Sequence, residues 1–472
     1  MADCTAGRAD DRPFPTQQGV PAVNTRSFDV VVLGGGSGGL AASFRAASHG
    51  AKVAMLEPAP LGGTCVNVGC VPKKAMWLAA DLAERIALAS QLGFDVPAAP
   101  QVAWPRLLQR RQRYIDGIHA SYRQRLQDTG VAHIAQRGRL LDARTVECDD
   151  GTRLHARHIV IATGSHALKP DLPGAALGGV SDDFFALQAA PARVAIVGGG
   201  YIAVELAGVL HGLGSEVTLL VRGQQLLSGF DSEMTAQMAE NLRQQGIDVR
   251  FGCQVQALER HGGGIRALLQ GGPADAVFDN VLFATGRAPS TRGLGLETTG
   301  VALDGQGAIA VDAFQNTSVP GVFAVGDVTA QAMLTPVAIA AARRLMDRLY
   351  GGQPDARLDY DNVPSVVFSH PPLGSVGLSE EQARARFDTV NTYHSRFRPM
   401  LQALGDGQVR TLFKMVCAGA DEKVVGIHLL GEGADEILQG FAVALKAGVT
   451  RRQMEDTVAI HPTSAEEVVL MR

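Results

Sequence analysis

A chain of 472 residues has room for about three domains at roughly 150 residues each. Its 46% hydrophobic and 19% charged residues exclude a disordered or fibrous protein, and a net charge of −4 gives no electrostatic ground for a nucleic-acid partner. Apolar runs stop short of the ~18 residues that a membrane span requires, so no membrane partner is expected either. Fifty-five glycines, where average usage of about 7% would give roughly 33, point to many sharp turns or close approaches of backbone to ligand.

Residues 1–27 carry no hydrophobic segment. Asp3, Asp10 and Asp11 argue against a mitochondrial presequence, so the stretch reads as a disordered tail on a cytoplasmic protein. The apolar run Asp29–Leu33 then leads into Gly34-Gly35-Gly36-Ser37-Gly38-Gly39. A small-residue helix follows from about Leu40 to His49, and a second strand runs over Lys52–Leu56 to end at Glu57. The same module recurs as the strand Arg193–Val197, the turn Gly198-Gly199-Gly200-Tyr201-Ile202-Ala203, a helix from about Val204 to Leu213 and a strand Glu216–Val221 ending at Arg222. A lone GxGxxG means little. Here both copies have the flanking strands, the helix and a polar residue at the right offset, which is the βαβ dinucleotide fingerprint. Both also close on a buried strand ending in Ala-Thr-Gly, at Ala162-Thr163-Gly164 and Ala284-Thr285-Gly286. A third strand and turn run from Gly321 to Asp327. Beyond Tyr360 the pattern changes to mixed strands and amphipathic helices, Ser379–Phe387 and Gly433–Ala447, as in an α+β domain.

The two copies differ at the slot that meets the adenosine ribose. Glu57 lies 23 residues beyond Gly34, and an acid there accepts hydrogen bonds from a free 2′-hydroxyl, as in FAD or NAD. Arg222 lies 24 beyond Gly198, where a cation accommodates the 2′-phosphate of NADP; its bland alternative is a solvated strand-end charge.

Cys4, Cys148, Cys253 and Cys417 are isolated in sequence and read as tail or core residues. Cys65 and Cys70 stand five apart in a chain without an export signal and ask for a redox or metal explanation. A zinc site is poorly served by two cysteines lacking a second Cys/His pair. An ideal helix would hold residues five apart roughly 8.7 Å from each other, whereas a disulfide wants Cα atoms about 4.4–6.8 Å apart. A bridge therefore needs a distorted helix start, which Gly62, Gly63 and Gly69 make cheap, and Pro72 places a helix start close by. Thiols at a helix N-terminus, here with Lys73 and Lys74 beside them, have lowered pKa values. A dithiol next to a nucleotide with a free ribose hydroxyl requires a mediator that accepts hydride and passes on an electron pair, which puts FAD in the first site and NADPH in the second.

The stretches GGTCVNVGCVPKK (Gly62–Lys74), GYIAVELAG (Gly200–Gly208), VFSHPPLGSVGL (Val367–Leu378) and HPTSAEE (His461–Glu467) resemble the FAD-dependent pyridine-nucleotide disulfide oxidoreductases, and among them most closely the glutathione reductases; the resemblance runs from about Asp29 to Arg472. It implies an α/β fold of two Rossmann-like domains, for FAD and NADPH, plus a C-terminal α+β dimerisation domain. The boundaries expected are 28–164 for FAD, 165–290 for NADPH, 291–360 for a central domain completing the FAD site, and 361–472 for the interface. By the same resemblance Cys70 faces the flavin as a charge-transfer thiolate and Cys65 is the interchange thiol attacking the substrate disulfide. Lys73 sits near the flavin N5 paired with Glu205, and Tyr201 covers the flavin face until nicotinamide displaces it. Asp327 and Thr335 hold the ribityl chain and ring, and Ser37, Gly38 and Thr64 contact phosphates. Gly34, Gly36, Gly39, Glu57 and Gly164 complete the FAD set. Gly198, Gly199, Gly200, Ile202, Arg222, Gly286, Met333 and Val366 form the NADPH set. Ser37, Phe44, Tyr114, Tyr122, Arg343, Met400 and Glu467 meet glutathione disulfide. His461 comes from the partner subunit of a homodimer with shared active sites, oriented by Glu466. An independent argument supports His461, since a group near pKa 6.5 suits protonation of a leaving thiolate; its bland alternative is a core or capping histidine.

Three positions depart from the family. Ser228 replaces a second arginine for the 2′-phosphate, Leu401 replaces a tyrosine, and Phe44 stands where a polar or cationic residue can meet a substrate carboxylate. The last two open the alternative of an amidated or polyamine-conjugated glutathione disulfide. The rivals are an NAD-using dihydrolipoamide dehydrogenase, which should carry an acid at 222, a redox-sensing flavoprotein without turnover, and a reductase of oxygen or quinones that would not require Cys65. NADPH should outperform NADH when the two are assayed in parallel; the reverse order would overturn the assignment of Arg222.

Overall fold

The computed structural model describes residues 24–96, 102–271 and 276–472. Its first sheet has β1 (Thr25–Leu33) between β2 (Val53–Leu56) and the strand Arg153–Ile161, all parallel, with β3 (Ala132–Ile134) beyond β2 and Val322–Ala324 beyond Arg153–Ile161. Layers cover both faces, so β1 carries an unbroken apolar run instead of an alternating one. Val30 and Val32 share a core with Leu40 and Phe44 of α1 (Ser37–Ser48), while Val31 and Leu33 share one with Leu140, Val146 and Leu154. β1 starts at Thr25, ahead of the tail boundary expected at residue 27, because its ladder with Arg153–His155 extends past the core. Residues 1–23 of that tail lie outside the described residues.

The second sheet repeats the first in the order Asp248–Phe251, Glu216–Val221, Arg193–Val197, Asn280–Phe283, Gly179–Val180. The chain leaves the first sheet after Ile161, builds the second, and returns to the first at Val322. The stretch after 291 thereby contributes a strand to the first sheet, and its helix Thr335–Tyr350 packs along α1.

In both sheets the first helix begins three residues earlier than the sequence pattern suggests, at Ser37 and at Tyr201. Glycine is a poor helix former, which argues for a late start, but here the strand and its turn aim the chain into helix at once. Gly36 and Gly200 provide no side-chain cap. The first-turn N–H groups are left for an external acceptor, the usual arrangement for a phosphate.

The C-terminal domain is a five-stranded antiparallel sheet in the order Ser365–Val367, Leu373–Gly377, Lys423–Leu430, Thr411–Ala418, Val390–Phe397. Every residue of Thr411–Ala418 is buried, including Lys414 at 2% exposure. Its ammonium lies 3.0 Å from Asp231, 3.2 Å from Glu233 and 2.8 Å from Glu380. Asp231 is itself fully buried and caps the helix Ser232–Gln244 of the second nucleotide domain, so this cluster ties that domain to the C-terminal sheet. Among the described residues no helix is long and apolar enough to cross a membrane. Removing one partner of a buried ion cluster leaves the others unpaired at a cost of about 3–5 kcal/mol. Lys414→Ala should lower the unfolding free energy by about that much in chemical denaturation, whereas breaking an exposed pair such as Lys446–Asp359 should leave it nearly unchanged.

Candidate active site

Cys65 lies in the short α2 (Gly63–Asn67) and Cys70 opens α3 (Cys70–Ala89). The helix breaks between them at Gly69, with φ −151° and ψ −125°. A Cβ on Gly69 would stand 2.6 Å from the Thr64 carbonyl oxygen, so the break requires glycine. Asn67 clamps the turn: its amide donates to the carbonyls of Pro60, Leu61 and Gly63 at 2.9–3.2 Å, and its oxygen pairs at 2.9 Å with His119 of α4 (Trp104–Thr129).

Both sulfurs are free thiols, and each is the largest influence on the other's ionisation. Cys65 stabilises a Cys70 thiolate and pulls that group down to about 6; burial opposes the shift, while Thr335 and the Lys73 charge add to it. Thr335 Oγ1 is 3.7 Å from Cys70 Sγ, and Cys70 is open to solvent on one side. Cys65 is pushed strongly upward by Cys70 and by burial, against weaker help from Thr335 and Ser37. The pair holds one proton, on Cys65.

Cys70 looks toward a buried ion pair. Lys73 Nζ donates to Glu205 Oε1 at 2.8 Å, and that oxygen also accepts from the Phe368 backbone at 2.9 Å. Lys73 stands 3.9 Å from the Phe368 ring centroid. Tyr201, the first residue of its helix, is 43% exposed, with its phenol pushed up to about 12 by burial. Asp327 accepts from Ser165 Oγ at 2.8 Å, and Arg287 reaches Ser165 Oγ at 2.9 Å and Thr64 Oγ1 at 3.5 Å.

The nucleotide positions suit their ligands. A Cβ on Gly34 (φ +105°) would stand 2.4 Å from the Ala162 carbonyl oxygen, and one on Gly198 (φ +143°) 2.3 Å from that of Ala284. Gly39 meets Gly34 so closely that only glycine fits, whereas the matching Ala203 is accommodated. Gly200 faces open space, as a pyrophosphate requires, whereas a Cβ on Gly36 would lie 3.7 Å from the Gly63 Cα, in ordinary contact. The Glu57 carboxylate accepts from the backbone N–H groups of Gly35 and Ala59, both at 2.8 Å, which fixes it at the end of β2. Gly38 packs on helix Thr335–Tyr350, and Gly164 and Gly286 take positive φ after the two closing strands. Ile202 is half-buried, Gly199 packs on Val221, Met333 is 40% exposed, and Val366 lies in the first strand of the C-terminal sheet. Arg222 is exposed, with no ion pair or side-chain hydrogen bond among the described residues, a cation left over for a ligand. Ser228 is exposed in the loop that follows. These residues fit FAD on the first sheet and NADPH on the second.

The residues expected to meet substrate fall into two groups. Ser37, Phe44, Tyr114 and Tyr122 belong to α1 and α4 beside Cys65, and Arg343 is exposed on the adjacent helix. Met400, 67% exposed, lies with Leu401 on the helix Met400–Leu404; Glu467 accepts from Ser395 at 2.6 Å. His461 Nδ1 is 3.0 Å from both Glu466 oxygens, and its side chain is 79% exposed. Because a carboxylate only accepts, Nδ1 carries the hydrogen and Nε2 is free. Among the described residues, no hydrogen bond or ion pair of this chain joins the second group to the first.

Residues 28–342 match the pyridine nucleotide-disulphide oxidoreductase family and residues 363–472 its dimerisation domain. The chain belongs to that family. It is 44% identical to a glutathione reductase of Yarrowia lipolytica, over 94% of this chain and 99% of the relative. Against a glutathione reductase of Schizosaccharomyces pombe it is 43% identical, over 95% and 99%. The Cu(II) complex of the HOCl-induced flavoprotein disulfide reductase RclA from Escherichia coli superimposes with a TM-score of 0.83 at 26% identity, covering 94% of this chain and 98% of that one. Family membership makes FAD and NADPH the cofactors.

Two residues at the family's dithiol escape a reading from sequence. Asn67 sits inside the motif but shows no role until its turn closes. Arg287 follows the second Ala-Thr-Gly directly, where the first copy has Ser165, and the two bond to each other; comparing the repeats at that position would have found it. The lowered Cys70 group predicts that, in enzyme with the pair reduced, ultraviolet thiolate absorbance persists above about pH 6 and fades below it. Cys70→Ser should remove this transition. A single transition near the ordinary 8.5 would refute the proton arrangement.

Proposed function

We propose that the protein reduces glutathione disulfide to two glutathione molecules at the expense of NADPH, working as a homodimer. Similarity to two glutathione reductases over nearly the whole chain supports the substrate. The observation that carries the chemistry is the placement of Cys65 and Cys70 on either side of the helix break at Gly69, with Thr335 Oγ1 3.7 Å from the Cys70 sulfur. Residues 28–164 with 291–360 bind FAD, 165–290 bind NADPH, and 361–472 pair the subunits. When bound, the two cofactors together supply the electron pair that reduces the Cys65–Cys70 disulfide.

The thiol chemistry then belongs to the chain. His461 of the partner subunit takes the Cys65 proton on Nε2, with Glu466 holding the imidazole through Nδ1. The Cys65 thiolate attacks one sulfur of the substrate, forming a mixed disulfide and expelling a glutathione thiolate, which the imidazolium protonates. Cys70, already a thiolate, attacks Cys65 and expels the second glutathione, which takes its proton from solvent. Lys73 stabilises the Cys70 charge and Glu205 anchors Lys73. Tyr201 covers the pocket that nicotinamide enters. Ser37 steadies Cys65. Supply of His461 by the partner accounts for its exposure in one chain, alongside Val458 at 92% and Ile460 at 74%. A cytoplasmic location completes the reading, since Cys148, Cys253 and Cys417 are buried free thiols.

Anaerobic NADPH oxidation tests this scheme. It should require glutathione disulfide, disappear in Cys65→Ser, and slow by about 10²–10⁴-fold in His461→Ala, the usual contribution of a general acid–base. Unchanged turnover in Cys65→Ser would rule out the disulfide mechanism.

A further inference from the structure

We propose that Arg125 is a specificity-determining residue, holding a carboxylate of the disulfide substrate on a guanidinium seated over Phe44. This rests on the glutathione-reducing function above and adds how the substrate's charge is recognised. Phe44, at 7% exposure, is buried in the core where α1 meets α4, so its ring is a floor and offers little surface of its own. The Arg125 guanidinium carbon lies 4.4 Å from the centroid of that ring. Arg125 is exposed, and among the described residues its side chain has no ion pair or hydrogen bond. Stacking on an aromatic face orients the planar fork and leaves its N–H edges directed outward, the geometry for bidentate contact with a carboxylate.

Its position relative to the sulfur is also suitable. Ser37, whose hydroxyl helps lower the Cys65 thiol, and Phe44 are both on α1, seven residues apart and so about 10.5 Å along the helix. That is roughly the reach of three extended residues, the length of a small peptide arm attached at Cys65. Tyr122 lies one turn before Arg125 on the same face of α4. Burial raises its phenol and the Arg125 charge opposes that shift, so phenol and guanidinium lie close enough to interact. The cation missing at position 44 is therefore present on α4. Such a site disfavours the amidated or polyamine-conjugated disulfides that Phe44 by itself suggests.

Steady-state kinetics on glutathione disulfide and on its analogue with both glycine carboxylates capped as amides separate the outcomes. The wild type should favour the free acid. Arg125→Ala should cut the ratio of kcat/KM values by about tenfold or more, mainly through KM, the loss of roughly one charge-assisted contact. Arg125→Lys should recover part of it, and Arg125→Glu should favour the amide. Ratios within about twofold of wild type in Arg125→Ala and Arg125→Glu, with unfolding midpoints unchanged, would overturn the assignment alone. A wild type that leaves glutathione disulfide unreduced would overturn the functional reading and this assignment with it.

Discussion

An unbroken helix through Cys65 and Cys70 would hold them roughly 8.7 Å apart, too far for a disulfide, and the site exists because that helix is interrupted at a single place. Gly69 makes the interruption sterically allowed, and Asn67 holds its shape through three carbonyls and His119. Restarting the helix at Cys70 puts one thiol at a positive helix terminus and leaves the other in the preceding turn. Two chemically identical side chains are shifted in opposite directions, Cys70 down chiefly by Cys65, and Cys65 up chiefly by Cys70 and by burial. In the proposed cycle one is the thiolate that resolves and the other the thiol that must be activated from outside.

The activating and electron-supplying groups reach this pair from distant parts of the chain. Lys73, one turn into α3, is tied to Glu205 in the second nucleotide domain and to Phe368 at the start of the C-terminal sheet. Arg287 and Ser165 link the two closing turns to Asp327. Lys414 performs the corresponding task away from the chemistry, joining Asp231 and Glu380. Buried charges of this kind add little net stability because desolvation offsets attraction. Their effect here is positional, since each charge is satisfied at one arrangement of the domains.

Much of this was legible in the chain itself. The duplicated glycine turns, Glu57 against Arg222, and the spacing of Cys65 and Cys70 are local features, and local geometry suffices to interpret them. Phe44 shows where such reading stops. From sequence it is the loss of a cation in the substrate pocket; in the fold it is the platform for Arg125, eighty-one positions later, which no spacing rule connects to it. Lys414 likewise looks like an exposed strand residue until its carboxylates from two other elements surround it.

Residue order alone determined that there are two nucleotide sites, which ribose each prefers, and that the dithiol belongs to the first, because those properties are set within single βαβ units and one thirteen-residue motif. Tertiary structure alone decided that Arg125 lies over Phe44, that carboxylates of other elements enclose Lys414, and that, among the described residues, no hydrogen bond or ion pair of this chain joins His461 to the dithiol. Those depend on electrostatic and steric contacts between segments that are distant in the sequence. Such contacts come into being only when the sheets and helices have packed.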